Sequence, residues 1–306
     1  MRIGTRRSAL ALAQAELVAA LLGGDCEIVP IVTRGDRRQE PTQGGGGEDK
    51  SRWVAELEDA LAGKQIDVAV HSAKDVPGEL AEGLELLGAP ARAAAEDALC
   101  GAATLEGLPP GARVGTSSVR RVAQLRAARE DLDVVAVRGN VDTRLRKLGD
   151  PAERLDAIVL ARAGLQRLGL EAEAGGVLDA ERFVPAPGQG ALALQGRADD
   201  RAVREAVHAI TDAGTFACLL AERALARELD ASCNTPLGAH AAPAGGERLL
   251  LRAWIGLPDG SAWAGDELLG DFHEPEALGR RVAERLRAVG ASEMLAQAEE
   301  MSGQSE

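Results

Sequence analysis

Through the first two-thirds of this chain, short β-type runs alternate with stretches of helical period, and few architectures accept that pattern. The segments "CEIVPIV" (26–32), "DVAVHSA" (67–73), "RVGTS" (113–117), "DVVAV" (133–137) and "AIVLA" (157–161) read as strands. Helical periodicity fills the gaps at 8–22, 51–63, 118–128 and 140–148. The opening "MRIGTRRSALALAQ" reads as a strand, a turn and an amphipathic helix, because Gln14 and Glu16 interrupt its apolar run. Alternation of this kind predicts parallel sheets covered by helices. Breaks fall at 88–98 and 183–195, marked by Pro90, Pro185 and Pro187. Two breaks around a segment of about 90 residues predict two lobes joined by crossovers, each within the usual size of a domain, with ligand held between them. From about Thr211 the pattern changes to a helix (214–230), a strand (248–256) and a helix (274–290), which predicts a smaller α+β domain. The stretch "QGGGGEDKS" (43–51) reads as a loop.

Composition narrows the function classes. The chain has 306 residues, enough for two or three domains, and a net charge of −13, which argues against a general nucleic-acid binder. Nothing approaches the eighteen or so uninterrupted apolar residues of a membrane span. The cysteines, Cys26, Cys100, Cys218 and Cys233, show neither paired metal-site spacing nor a dense disulfide pattern, so a cytoplasmic, reduced protein is expected. Cys233 stands apart, in the polar turn "LDASCNTPLGAH" (229–240).

Against that acidic background, basic and hydroxyl residues gather at strand ends. In open α/β sheets the carboxyl ends of strands face the ligand crevice. "VHSAKDVP" (70–77) ends its strand in His71, Ser72, Lys74 and Asp75. "GTSSVRR" (115–121) puts Thr116, Ser117 and Ser118 at a strand-to-helix turn, where one hydroxyl is expected to cap the helix and free N–H groups favour an anion. Arg120 and Arg121 at that first turn oppose the helix dipole, which is reasonable if an anion faces them. "RGNVDTR" (138–144) carries Arg138 and Arg144, "ARAGLQRLG" (161–169) carries Arg162 and Arg167, and "GTRRSAL" supplies Arg6 and Ser8. Arginine forks suit carboxylates. With no P-loop and no dinucleotide fingerprint, a ligand bearing many carboxylates is favoured over a nucleotide. His71 reads as a satisfied, semi-buried histidine.

The motifs "VTRGD" (32–36), "DVAVHSAKDVP" (67–77), "VGTSSVRR" (114–121), "VRGNVDTR" (137–144), "AGLQRLG" (163–169), "PAPGQGA" (185–191) and "AERALARELDASCNTPLGA" (221–239) follow one another in the order of the porphobilinogen deaminase (hydroxymethylbilane synthase) family, which this chain closely resembles. The resemblance implies an α/β fold with two periplasmic-binding-protein-like lobes and a third, smaller α+β domain. It implies domains at 1–90 plus 191–208, 95–184 and 213–306. It further implies a cytoplasmic, monomeric transferase that joins four porphobilinogen molecules head to tail with loss of ammonia, in tetrapyrrole (haem) biosynthesis, without metal, nucleic acid or membrane. A dipyrromethane primer joined by a thioether to Cys233 is implied as cofactor. Asp75 is implied as the catalytic carboxylate. Ser72, Lys74, Thr116, Ser117, Ser118, Arg120, Arg121, Arg138, Gly139 and Arg144 are implied as cofactor-binding, and Arg6, Ser8, Lys50, Arg167 and Gln189 as substrate-binding.

Two positions depart from the family pattern. The loop usually written Gly-Gly-Lys-Gly, followed by Phe, here reads "GGGGEDKSRW" (44–53), so Glu48 and Asp49 accompany Lys50. Ala231 replaces a usual glycine and is expected to fit unless its φ is positive. Two rival readings are a non-catalytic carboxylate receptor, which leaves Cys233 unexplained, and a thiol enzyme pairing Cys233 with His240 or His71.

Overall fold

The computed structural model describes residues 1–33, 51–232 and 235–304. Strand β1 (Arg2–Arg6) runs into helix α1 (Ala9–Leu22), which Ser8 caps by accepting from the Ala11 N–H. Then come β2 (Glu27–Ile31), α2 (Ser51–Ala62), β3 (Val68–Ser72) and β4 (Leu84–Gly88). The chain crosses to a second sheet through β5 (Asp97–Cys100), β6 (Arg113–Gly115), α3 (Val119–Ala128), β7 (Asp133–Val135), α4 (Val141–Leu148), β8 (Ala157–Ala161), α5 (Arg162–Arg167) and β9 (Gly176–Leu178). It returns as β10 (Leu192–Arg197) and α6 (Arg201–Ala209).

The two sheets share one plan. The first has the order β2-β1-β3-β10-β4, with β1 parallel to β2 and β3, and β10 antiparallel to β3 and β4. The second has the order β7-β6-β8-β5-β9, with β6 parallel to β7 and β8, and β5 antiparallel to β8 and β9. Parallel strands covered on both faces read as continuous apolar runs, and β8, "AIVLA", is buried over its first four residues. Fully buried side chains such as Ile3, Leu194, Leu99 and Ile158 each contribute about 1.5–3 kcal/mol by leaving water.

The break read at 183–195 is only half a break. Gly188 and Gly190 turn the chain with φ of 74° and 84°, and from Leu192 the chain is a central strand of the first sheet. The apolar alternation of "ALALQ" carried that signal, but the prolines and glycines just before it dominated the reading. Strands β4, β5 and β9, three to five residues long, also escaped the periodicity reading.

The third unit begins with helix α7 (Ala213–Glu228), continues as the antiparallel sheet of β11 (Leu237–Pro243), β12 (Arg248–Gly256) and β13 (Trp263–Asp271), and ends in α8 (Pro275–Ala288) and α9 (Ala291–Gln304). Its core joins Ala221 and Leu225 of α7 to Leu249, Leu251 and Ile255 of the sheet and to Leu278, Val282 and Leu286 of α8. Among the described residues no helix is long and apolar enough to cross a membrane.

Candidate active site

The C-terminal end of β3 opens into a solvent-connected cavity lined by Arg6, Ser8, Gln14, His71, Ser72 and Asp75, among others. Local sequence builds it. Arg6 ends β1, Ser8 caps α1, and a single short 3₁₀ turn, Ala73–Asp75, projects Lys74 and Asp75 from the end of β3. Gln14, on the buried face of α1, bonds the Ser72 hydroxyl at 2.8 Å through Nε2 and at 3.1 Å through Oε1. Sequence reading treated Gln14 only as an interruption of an apolar run. Its signal was a polar residue on the face of a helix that must be covered.

His71 behaves as expected of a satisfied histidine. Its Nε2 meets Gln195 Oε1 at 3.0 Å, and Gln195 Nε2 donates to Glu58 at 2.7 Å. Since the Gln195 amide donates through nitrogen, its oxygen accepts, which assigns the proton to His71 Nε2. Burial pushes the His71 pKa down to about 4, so the ring is neutral at physiological pH.

The other half of the site comes from the second sheet, and here the structure corrects the sequence reading. An external anion was expected opposite Arg120 and Arg121, but the protein supplies one itself. Asp97, at the start of β5, accepts from Arg120 Nη2 at 2.8 Å and from Arg121 Nη2 at 2.7 Å, with all three side chains buried. Arg120 also donates to the Val184 carbonyl and Arg121 to that of Val159, each at 3.0 Å. Burial alone would raise the Asp97 pKa, yet the two guanidinium groups outweigh it and hold the carboxyl far below its usual range. Asp97 was missed because nothing in "AAAEDALC" marks it, and its partners lie 23 and 24 positions away.

Gln189 belongs to the same network. Its Nε2 donates to Asp97 at 2.8 Å and to the Ala95 carbonyl at 2.7 Å, and its Oε1 accepts from Arg121 at 3.4 Å. Gln189 is thus a buried amide whose two ends are both engaged within the protein. Ser118 is the predicted helix cap, accepting from the Arg121 N–H at 3.5 Å. Thr116 is buried and accepts from the Ser118 N–H at 3.3 Å, while Ser117 is exposed.

Four further cations have different settings. Arg167 donates to the Gly190 carbonyl at 2.7 Å, but its Nε is buried without a hydrogen-bond partner, and burial lowers its pKa to about 10. Arg138 is exposed. Arg144 reaches back to the Gly139 carbonyl at 2.7 Å, across a turn that needs glycine: its φ is 121°, and a Cβ there would lie 2.7 Å from Thr143. Arg162 meets Glu96 at 3.9 Å in a half-exposed pair of little energetic weight.

The two halves meet. Leu10 of the first lobe lies against Gly164 of the second. Lys74 feels the positive charge of Arg121, and burial first, then that charge, lowers its pKa to about 8. No ion pair or side-chain hydrogen bond engages Lys74 or Asp75 among the described residues. The Asp97 network holds two guanidinium groups against one carboxylate, so the cleft wall beside Lys74 keeps a net positive charge.

The expectations for Cys233 and Lys50 fall outside the described residues. Beside Cys233 in the chain, the Ser232 N–H donates to Thr235 Oγ1 at 2.8 Å. The left-handed residue there is Asp230, with φ of 50°, and Ala231 has no positive φ, so the alanine fits. Burial raises the thiols of Cys100 and Cys218 to about 11 and about 12, which leaves both unreactive near neutral pH.

Comparison with known proteins adds the family. A family model described as "Porphobilinogen deaminase, dipyromethane cofactor binding domain" matches residues 1–205, and one described as "Porphobilinogen deaminase, C-terminal domain" matches 216–288. The porphobilinogen deaminase of Thiobacillus denitrificans is 45% identical over 302 residues, covering 96% of this chain and 97% of its own. That of Xanthomonas euvesicatoria is 46% identical over 305 residues, covering 97% and 99%. The TRAP periplasmic solute binding protein of Ralstonia eutropha H16 aligns over 74% of this chain and 79% of its own at 15% identity and a TM-score of 0.40, too distant a likeness to bear on fold or function.

Proposed function

The chain belongs to the porphobilinogen deaminase family, and we infer from that membership that it polymerises porphobilinogen to hydroxymethylbilane in tetrapyrrole biosynthesis. Four substrate molecules and one water become one linear tetrapyrrole and four ammonia molecules. In this reading the chain divides at 1–90 plus 191–208, 95–184 and 213–306, and it acts as a cytoplasmic monomer without nucleic acid.

The observation that carries the mechanism is Asp75, which lines the cavity next to Lys74, neither of them engaged by an ion pair or side-chain hydrogen bond among the described residues. Porphobilinogen loses ammonia to give an azafulvene-like cation, and a carboxylate beside it lowers the energy of that charge. The same carboxylate holds pyrrole N–H groups and accepts a proton when the new bond is complete. Each pyrrole unit brings two carboxylates, so the growing product needs a positive wall. Lys74 and Arg167 supply it directly, with Arg6, Arg138 and Arg144, and Ser72, Thr116, Ser117 and Ser118 add hydroxyl contacts. Arg120 and Arg121 act through the residual charge of their network and by holding the wall in place.

The chain's residues fit the dipyrromethane that the matched family model names. The buried, unpartnered Nε of Arg167 and the enclosed Lys74 are suited to a bound anion. When bound, the dipyrromethane supplies the pyrrole carbon to which the first unit is joined. We assign its attachment to a thioether at Cys233, the cysteine of the family motif "ASCNTP". Intact-mass measurement of active protein tests this: an added dipyrromethane that is lost in Cys233→Ser is expected, and a bare polypeptide mass would overturn the attachment. Asp75→Asn is expected to keep the added mass and lose turnover by about a hundredfold or more. Near-normal turnover in that variant would remove Asp75 from its role.

A further inference from the structure

The turn that presents Asp75 is held from outside its own lobe. Beyond Asp75 the chain runs through Val76, Pro77 and Gly78 to the next strand. The carbonyls of buried Val76 and half-buried Pro77 need donors, because such groups are seldom left unpaired, and the carbonyl of exposed Gly78 follows them. One side chain serves all three. Arg223, on helix α7 of the third unit, donates through Nη2 to the carbonyls of Pro77 at 2.8 Å and Gly78 at 3.1 Å, and through Nη1 to that of Val76 at 3.4 Å.

The same helix face packs against the turn. Phe216, Leu219 and Arg223 recur at helical spacing, and Phe216 and Leu219 lie against Ala73 and Val76. The neighbouring residue, Glu222, is fully buried. It accepts from the Gly188 N–H at 2.6 Å, from the Ala241 N–H at 2.7 Å and from Arg92 Nη1 at 2.6 Å. Gly188 in turn abuts the turn so closely that a Cβ on it would lie 2.9 Å from the Ala73 carbonyl carbon. Consecutive residues of one helix therefore hold the turn, Arg223 directly and Glu222 through Gly188.

The chemistry of Arg223 is uneconomical for a staple. It is half-buried, no carboxylate pairs with it among the described residues, and burial lowers its pKa to about 10, with nearby Arg227 adding to the effect. A leucine would supply packing there without desolvating a charge. What only a fork-shaped donor supplies is a fixed path for three carbonyls, and hence a fixed origin for the Asp75 side chain.

We propose that Arg223 is a positioning residue of the polymerisation, setting from the third unit where the Asp75 carboxylate stands in the cleft. This rests on the reading of Asp75 as the catalytic carboxylate. It predicts a separation of effects, because misplacing a reacting group by about 1 Å costs up to a hundredfold in rate while leaving binding elsewhere intact.

The test uses the full-length holoprotein with porphobilinogen as probe. Arg223→Gln is expected to keep the cofactor mass, lower kcat about tenfold or more and leave KM within about twofold. Arg223→Lys, which keeps the charge but not the fork, should recover part of kcat. Unchanged kcat per folded molecule, with loss of activity tracking only the unfolded fraction, would overturn the proposal. So would a rise in KM with kcat intact. If the glutamine variant does not fold, the lysine variant is read by the same split. Asp75→Asn, measured in parallel, separates the two ideas: an active Asp75→Asn defeats the catalytic reading, whereas an inactive one beside a normal Arg223→Gln defeats only the positioning.

Discussion

The two five-stranded sheets have the same plan and opposite treatments of charge. In the second, Arg120 and Arg121 turn inward and are neutralised in part by Asp97, with Gln189 and two backbone carbonyls completing the network. In the first, Lys74 and Asp75 stand at the end of β3 without side-chain partners among the described residues, beside an open cavity. One lobe engages its strand-end charges with one another, and the other leaves Lys74 and Asp75 beside the cavity. Basic residues at strand ends therefore mark a cleft, but they do not say which side chains reach into it.

The largest effect is expected at Asp97. Asp97→Asn leaves two buried guanidinium groups without their counter-ion, and a loss of about 3–5 kcal/mol is expected in urea unfolding. The wild-type contribution has a defined pH window. The folded-state pKa of Asp97 is depressed, so its stabilisation is fully present above the unfolded value of about 3.9 and declines as pH falls below it. Asp97→Asn should lack that acid limb, and a variant as stable as wild type at pH 7 would mean that the wall does not depend on this carboxylate.

A smaller effect tests the open side. The Lys74 pKa is lowered to about 8, below the unfolded value of about 10.4. Between those pH values the unfolded chain binds more protons at this site, so folding stability gains from Lys74 as pH rises through the window. Lys74→Arg should remove that gain. Unfolding free energies of the two proteins at pH 8 and pH 10 measure it, and parallel curves would show that the amine is not held in the cleft. The smallest effect is expected at Ser118→Ala, about 1 kcal/mol from loss of the cap on α3, because the hydroxyl closes one N–H and nothing more. A substantially larger loss would show that the cap also orients Arg120 and Arg121 toward Asp97.

Local patterns made much of the fold legible. Helix α1 and strand β8 stand within a residue of where periodicity put them, since each contains its own signal. Ser118 was legible as a cap for the same reason. Short strands such as β9, and β10 behind its glycine turn, were not, because three to six residues following a break carry too little periodicity to outweigh it. At the site, Lys74 and Asp75 could be read from one motif. Asp97, Gln14 and Arg223 could not, as each acts on residues at least 23 positions distant.

The alternating elements, the family motifs and the residue types suited to carboxylate ligands are all written in contiguous stretches of the sequence. Which arginines already hold a carboxylate, the burial of Gln189 beside Asp97, and the hold of a third-unit helix on the turn bearing Asp75 emerge only when the chain is folded. Those outcomes depend on desolvation and on donor–acceptor geometry between distant segments. Neither exists until the chain has folded.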